Sequence, residues 1–226
     1  MGRGPEHAAL FDAAAEEVVL RGGDFNAQGV CNTMWACCVG GHYGALHRIL
    51  TTLGSSDNTV LRGSKRLPVE ARGQLLQVQA AANVENAEVA RHLQSLLEQT
   101  PFGAGDLSSR GTLPRPPSRL HIDISQHLES VTEDSSQMGV HETRHVLGEG
   151  IVCDLAWPTP KVAVEVQGPD RFSIDTRELD GGSKLKVRLL EVLGWQVLYI
   201  PHWEWDSLGA SSTLKAAYLR SVGVVI

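Results

Sequence analysis

The first hundred residues alternate apolar stretches with glycine turns, at spacings that predict helices. The Ala-rich stretch EHAALFDAAAEEVV has apolar residues four apart, at Leu10, Ala14 and Val18, which is the spacing of one helix face. NAQGVCNTMWACCVGG follows a candidate helix cap, Asp24 or Asn26, and ends at a glycine pair. YGALHRILTTLG is a third helical stretch, and LPVEARGQLLQVQAAANVENAEVARHLQSLLEQ reads as one long helix or two shorter ones. We therefore predict a helical, repeat-like region over residues 1–99.

The pattern changes twice beyond this region. Residues 100–117 are rich in Pro, Gly and Ser with almost nothing to bury, which predicts a linker. RLHIDISQHLESV then has a helical pattern, and EGIVCDLAWP and KVAVEVQG are β-branched runs typical of strands. The helix GSKLKVRLLEVLG, the strand WQVLYIP and the helix TLKAAYLRSV complete the chain. Residues 118–226 therefore predict a small α/β domain with helices packed on a sheet.

The turn PTPK, residues 158–161, sets a strand register. If it closes a hairpin, Trp157 pairs with Val162, and counting back along both strands places Asp154 opposite Glu165. Gln167 is two residues beyond Glu165 and so faces the same side of the sheet.

Two acids directly opposite each other repel unless a positive charge lies between them. Asp154 and Glu165, with Gln167 beside them, are the hard oxygen ligands that Mg²⁺ or Mn²⁺ prefers. The alternative is that the acids are solvated at a sheet edge, or bonded to the backbone and to arginine side chains. A lysine or arginine side chain paired with either acid would argue against a metal site.

Composition limits the possible functions. The net charge is −6 at pH 7, and neither half of the chain has an excess of Lys and Arg over Asp and Glu. Any binding to nucleic acid is therefore expected to be local, weak or shared with another molecule. No apolar run approaches membrane-spanning length, and the acidic start predicts neither a signal peptide nor a transit peptide in this chain. The four cysteines show no metal-binding spacing and are expected to be small buried residues of a reducing compartment.

Two groups of motifs resemble known families. VAVEVQGPDRFS, LDGGSKLKVRLLEVLGWQVLYIPHWEWDSL and AAYL together resemble the RAP domain, found in RNA-binding proteins of apicomplexans and green algae and in FAST kinase-like mitochondrial proteins. The resemblance covers roughly residues 118–222. Upstream, the stretch DFNAQGVCNTMWACCVGG resembles the core of an octotricopeptide repeat. Five residues carry this resemblance: Phe25, Gln28, Asn32, Trp35 and Ala36.

The RAP resemblance implies a fold related to the PD-(D/E)XK, restriction-endonuclease-like nucleases, close to the very-short-patch repair endonucleases. Asp154 then falls on the D of that motif, Glu165 on its (D/E), and Gln167 where the nucleases have lysine. An amide supplies only part of what that lysine does in activating water and stabilising phosphate charge. Lys184 and Arg188, one helical turn apart, are candidates for supplying the missing charge, or form a solvated helix face.

Three functions follow as expectations. The first is an organellar protein that binds single-stranded RNA or rRNA without cleaving it, acting in RNA processing, stability or ribonucleoprotein assembly. The second is a Mg²⁺- or Mn²⁺-dependent endoribonuclease that uses Asp154 and Glu165, assisted by Gln167 and Lys184. The third is a structural subunit of an organellar ribosome. A mitochondrion is preferred to a chloroplast. The candidate RNA-binding residues are Lys184, Arg188, Trp203, Trp205 and Arg171.

Overall fold

The chain forms two compact units, Met1–Leu113 and Pro114–Ile226. The computed structural model describes residues 7–55, 60–61, 67–100, 118–131, 145–146, 151–158, 161–172 and 177–223. The predicted linker lies almost entirely outside the described residues, which end at 100 and resume at 118. Of the helices described in either unit, none has the length and apolarity needed to cross a membrane.

The N-terminal unit is helical, as predicted. Its described helices are α1 (Ala8–Leu20), α2 (Ala27–Gly40), α3 (Tyr43–Leu53), α4 (Val69–Glu85) and α5 (Ala87–Glu98).

Local sequence signals set several helix ends. Asn26, one of the two candidate caps, accepts a hydrogen bond from the backbone N–H of Gly29 and so begins α2. Gly41 ends α2 with a φ of 72°, a conformation that favours glycine. Asn86 divides the long stretch into α4 and α5, because its backbone is extended and its side chain caps α5 by accepting from the N–H of Val89.

Three residues of the repeat-like motif lie along the α2–α4 contact. Gln28 Nε2 donates to Asn32 Oδ1 on its own helix, at 2.8 Å, and to Gln74 Oε1 on α4, at 2.9 Å. Trp35 Nε1 donates to Gln77 Oε1, also on α4. The motif thus supplies a row of polar contacts between two helices.

The cysteines are buried thiols. Cys31, Cys37 and Cys38 lie in the core of the N-terminal unit and Cys153 in that of the C-terminal unit. Burial raises the pKa of Cys31, of Cys37 and of Cys153 to about 12, so these thiols stay protonated near neutral pH.

The C-terminal unit is an α/β layer. Its described elements are α6 (Arg119–Val131), β1 (His145–Val146), β2 (Val152–Cys153), β3 (Leu155–Trp157), β4 (Val162–Gln167), a 3₁₀ turn (Pro169–Arg171), α7 (Gly181–Val192), β5 (Gln196–Pro201), α8 (His202–Ser207) and α9 (Ser212–Ser221). A three-stranded sheet has the order β3-β4-β5, with β3 antiparallel and β5 parallel to β4; β1 and β2 form a separate antiparallel pair.

Both faces of the sheet are covered. On one face, Val164 of β4 and Ile200 of β5 pack with α6, α8 and α9 in a core that includes Ile124, Trp205 and Leu219. Residues of β4 alternate in direction, so Ala163, Glu165 and Gln167 face the other side, toward α7. This second cover explains how an acid on β4 becomes buried.

The predicted hairpin register is confirmed over three residue pairs and then ends. Trp157 pairs with Val162, and the ladder continues as far as Leu155 with Val164. Asp154, the next residue, lies in a bend between β2 and β3. The expected ladder pair of Asp154 with Glu165 is therefore wrong, because the predicted strand divides at Asp154 and its two halves join different sheets.

Candidate functional site: a buried acid and an aromatic surface

Glu165 lies in the middle of β4 with 3% of its surface exposed. From α7, the Nζ of Lys186 approaches to 2.5 Å from Glu165 Oε2. Lys186 also donates a hydrogen bond to the backbone carbonyl of Val152, 3.1 Å away. A single lysine thus supplies the positive charge that a buried acid requires.

The other carboxylate oxygen of Glu165, Oε1, is buried and has no hydrogen-bond partner among the described residues. The pKa of Glu165 is raised from 4.5 to about 7, mainly because burial penalises the charged form. Lys186 opposes this shift, and the charge of Asp154 adds to it. The carboxyl group therefore holds its proton to a higher pH than an exposed glutamate does.

Asp154 is held from the opposite side of the sheet. Its Oδ2 accepts a hydrogen bond of 2.9 Å from the backbone N–H of Val166. Its Oδ1 lies 3.7 Å from Nδ1 of His121, a buried histidine on α6. The Asp154 carboxylate is thus oriented by β4 and α6, whereas that of Glu165 is oriented by α7.

This arrangement does not fit Mg²⁺ or Mn²⁺. Such an ion needs several oxygen ligands converging on one point, together with room for bound water. Here a lysine ammonium binds one oxygen of Glu165, and a backbone N–H and a histidine face the two oxygens of Asp154. The ammonium already neutralises the charge that a metal would neutralise.

The other residues predicted to assist Glu165 make different contacts. Gln167 is 2% exposed and pairs in the parallel ladder with Pro201. Lys184 is exposed and forms its ion pair with Glu178, at 2.7 Å. Arg188 is half-buried on α7.

Sequence reasoning missed Lys186, although a signal was present. Lys186 lies three and four residues before Leu189 and Leu190, which are both buried. Residues at these spacings share one helix face, so a lysine at this position is directed toward the sheet.

A second group of side chains forms an aromatic surface at the carboxyl ends of the parallel strands. Phe172 follows β4 and Trp203 follows β5, and their ring centroids are 4.4 Å apart. The guanidinium carbon of Arg177 lies 5.3 Å from the centroid of the Trp203 ring. We call Phe172, Arg177 and Trp203 the aromatic–arginine cluster. Arg171, a predicted RNA-binding residue, is exposed directly before Phe172.

The prediction that Trp205 stacks on RNA bases is wrong. Trp205 is 2% exposed, and its Nε1 donates to Asp123 Oδ2 at 2.7 Å. Residues 202–207 form helix α8, and residues two apart on a helix point to nearly opposite sides. Trp203 therefore contacts Phe172 and Arg177, while Trp205 enters the core.

The raised pKa of Glu165 makes its contribution to stability depend on pH. Because the folded-state pKa of about 7 exceeds the usual 4.5, the folded protein binds this proton more tightly than the unfolded chain. The resulting stability is fully present below the lower pKa and is lost as the pH rises through the higher one. From about pH 5 to about pH 8, we expect wild type to lose as much as ~2 kcal/mol of unfolding free energy relative to Glu165→Gln. Urea unfolding measures this difference, and a pH-independent difference would contradict the expectation.

The C-terminal unit is thus a small α/β domain with a lysine-paired acid at its centre and an aromatic surface at its strand ends. Residues 164–222, from β4 to the end of α9, match the family model of the RAP domain. The chain therefore contains a RAP domain, which confirms the resemblance drawn from its motifs.

Two curated mouse proteins are similar to part of the chain. "FAST kinase domain-containing protein 5, mitochondrial" of Mus musculus is 36% identical over 80 residues, which are 33% of this chain and 10% of that protein. "FAST kinase domain-containing protein 1, mitochondrial" of Mus musculus is 36% identical over 61 residues, 26% of this chain and 7% of that protein. The matched segment thus spans a tenth or less of each relative.

Proposed function

We propose that this chain is a mitochondrial RNA-binding protein that binds single-stranded RNA through its RAP domain without cleaving it. The observation that carries the proposal is the aromatic–arginine cluster within the RAP domain. Aromatic rings and guanidinium planes are the groups on which unpaired RNA bases stack. The word mitochondrial in the names of both relatives supports the location. The role we propose is in RNA processing, RNA stability or ribonucleoprotein assembly.

Local contact rather than a broad basic surface is the proposed mode of binding. The net charge of −6 offers little general attraction to phosphate. Arg177 of the cluster and the neighbouring Arg171 are both exposed, so they provide positive charge where a stacked strand would pass. The helices of the N-terminal unit are proposed as a further RNA-binding surface, on the basis of the octotricopeptide-like residues of α2.

The absence of cleavage is proposed from the Glu165–Lys186 pair. The order of α6, the antiparallel β3–β4 hairpin, α7 and the parallel strand β5 supports a restriction-endonuclease-like fold. In that fold Glu165 and Asp154 would hold the metal, but here the two carboxylates are oriented by different layers. We therefore propose a nuclease-like scaffold in which a lysine has taken the place of the ion.

Replacing Trp203 tests the RNA-binding surface. We expect Trp203→Ala to weaken binding of a labelled single-stranded RNA by ~5- to 150-fold, because one stacked base contributes ~1–3 kcal/mol. Trp203→Phe, which keeps a ring, should retain most of the affinity. Fluorescence anisotropy measures both. Arg177→Gln should also weaken binding, and Arg220→Gln, the same charge change at another exposed arginine, should not. Equal affinity of wild type and Trp203→Ala would contradict the proposal.

Cleavage is tested with the same RNA in the presence of Mg²⁺ or Mn²⁺. We expect no products from wild type, Asp154→Ala or Glu165→Ala. Metal-dependent products from wild type that both variants abolish would establish the endoribonuclease alternative instead.

The third alternative, a structural subunit of a mitochondrial ribosome, is tested by sedimentation of the native protein from mitochondria. Co-sedimentation with a ribosomal subunit that survives a high-salt wash would favour a ribosomal role. Migration free of any large particle would exclude it.

A further inference from the structure

Two histidines and a glutamate meet where α3 packs against α5 in the N-terminal unit. His47 lies on α3, and Glu88 and His92 lie on α5. Positions 88 and 92 are one helical turn apart and so share a face of α5. One ligand atom from each of the three side chains lies within 4.8 Å of the other two, and no other such cluster occurs among the described residues.

The distances are close to those of a bound ion. Ligands about 2.1 Å from a tetrahedral zinc ion lie ~3.4 Å from each other. The separation of His47 Nε2 from Glu88 Oε1 is 3.4 Å. The imidazole ring centroids of His47 and His92 are 4.6 Å apart and the rings are nearly perpendicular. Small side-chain rotations would bring all three ligand atoms onto one ion.

Hydrogen bonding leaves one nitrogen of each histidine suited to a metal. His92 Nδ1 lies 2.9 Å from the backbone carbonyl oxygen of Glu88, so it carries a proton and donates it. The Nε2 of a neutral His92 then presents its lone pair, as in many metal-binding histidines. His47 Nε2 is buried and makes no hydrogen bond among the described residues. Glu88 Oε1 lies 3.4 Å away without forming a hydrogen bond, and a buried ring nitrogen that makes none is unfavourable unless something binds it.

We propose that His47, Glu88 and His92 form a binding site for a divalent transition-metal ion of the zinc class. Two imidazoles and one carboxylate are a common set of three protein ligands for zinc, with water in the fourth position. The ion would connect α3 to α5 and so stabilise the helical unit. This site is independent of the RNA-binding proposal, because it uses none of the residues of the RAP domain.

Titration with ZnCl₂ tests the site in the full, tag-free chain. We expect calorimetry to give one zinc ion per chain, and thermal unfolding to shift upward with zinc concentration. Loss of a supporting contact alone lowers metal affinity ~10- to 100-fold, so loss of a direct ligand in His47→Gln or His92→Gln should lower it by more than ~100-fold. With CoCl₂, wild type should show a visible ligand-field spectrum that both variants lack.

Matched variants distinguish this site from weak surface binding. Glu88→Gln removes an exposed ligand and should weaken zinc binding without unfolding the protein, whereas Glu98→Gln on the same helix should leave it unchanged. His7→Gln, at an exposed histidine, should also leave it unchanged. The proposal is overturned if wild type binds no zinc, or if Glu88→Gln and the two histidine variants bind it as wild type does.

Discussion

Replacing Lys186 with methionine is expected to lower the unfolding free energy of the C-terminal unit by about 3 kcal/mol. The change removes the only cation within contact of Glu165 among the described residues and leaves a buried carboxylate unpaired. Breaking one partner of a buried ion pair typically costs ~3–5 kcal/mol, and we take the lower end because 29% of the Lys186 side chain is exposed. Chemical denaturation followed by far-UV circular dichroism measures the loss.

The same helix provides a matched control for this prediction. Lys184 is also in an ion pair, but both it and Glu178 are more than half exposed. We expect Lys184→Met to change stability by no more than ~0.5 kcal/mol, because exposed pairs contribute little. The double variant Glu165→Met, Lys186→Met should recover most of the loss, since it leaves no buried charge. Equal effects of Lys184→Met and Lys186→Met would show that the buried pair does not form.

The effect of Lys186→Met should also depend on pH. Lys186 lowers the pKa of Glu165, so its removal raises the folded-state pKa further above the ordinary value of 4.5. The folded variant then loses more stability than wild type whenever Glu165 must ionise. We therefore expect a larger destabilisation above neutral pH than in mild acid.

Much of the local structure could be predicted from the sequence, because short-range signals act there. Asn26 and Gly41 bound α2 through contacts with residues close by in the chain. The PTPK turn set the pairing of Trp157 with Val162 because a short loop leaves few registers. The register failed at Asp154, where a side chain bonded to the backbone of the neighbouring strand replaces the regular ladder.

The site itself was only partly predictable. Glu165 was predicted as a site residue, but its partner depended on which lysine of α7 faces the sheet. The sequence analysis proposed Lys184 and Arg188 as candidates for supplying positive charge, whereas Lys186 is the residue that reaches Glu165. The two lysines are two residues apart and so lie on nearly opposite sides of the helix, and periodicity alone did not fix which side packs on the sheet.

Contacts between distant segments explain what sequence reasoning missed elsewhere. His47 showed no role in the sequence because Glu88 and His92 are about forty residues away and approach it only when α3 packs on α5. Arg177 and Phe172 were likewise not linked to Trp203. Their contact follows from the parallel pairing of β4 and β5, which places the two strand ends, Gln167 and Pro201, side by side. The segments that leave these two strand ends are therefore close to each other.

Replacing Trp205 with alanine is expected to lower the unfolding free energy by about 4 kcal/mol, the usual range for a fully buried large aromatic residue being ~3–5 kcal/mol. Its ring packs in the core beneath the sheet, and its Nε1 donates to Asp123. The Lys215 ammonium, itself paired with Asp123 at 2.6 Å, lies 4.9 Å from the ring centroid. Deletion of the ring therefore creates a cavity and weakens a buried polar network.

Trp205→Phe separates the packing role of this residue from RNA binding. Phenylalanine keeps most of the ring but loses the N–H that Asp123 accepts, so we expect a smaller loss of ~1–2 kcal/mol. Because Trp205 is a core residue, folded Trp205→Phe should bind labelled RNA with wild-type affinity, whereas Trp203→Ala should bind weakly while remaining folded. Denaturation and anisotropy measurements on both variants make the comparison. A ring held in the core has no face open to a base. A loss of RNA affinity in Trp205→Phe with unchanged stability would therefore contradict the core role and assign Trp205 to the RNA-binding surface.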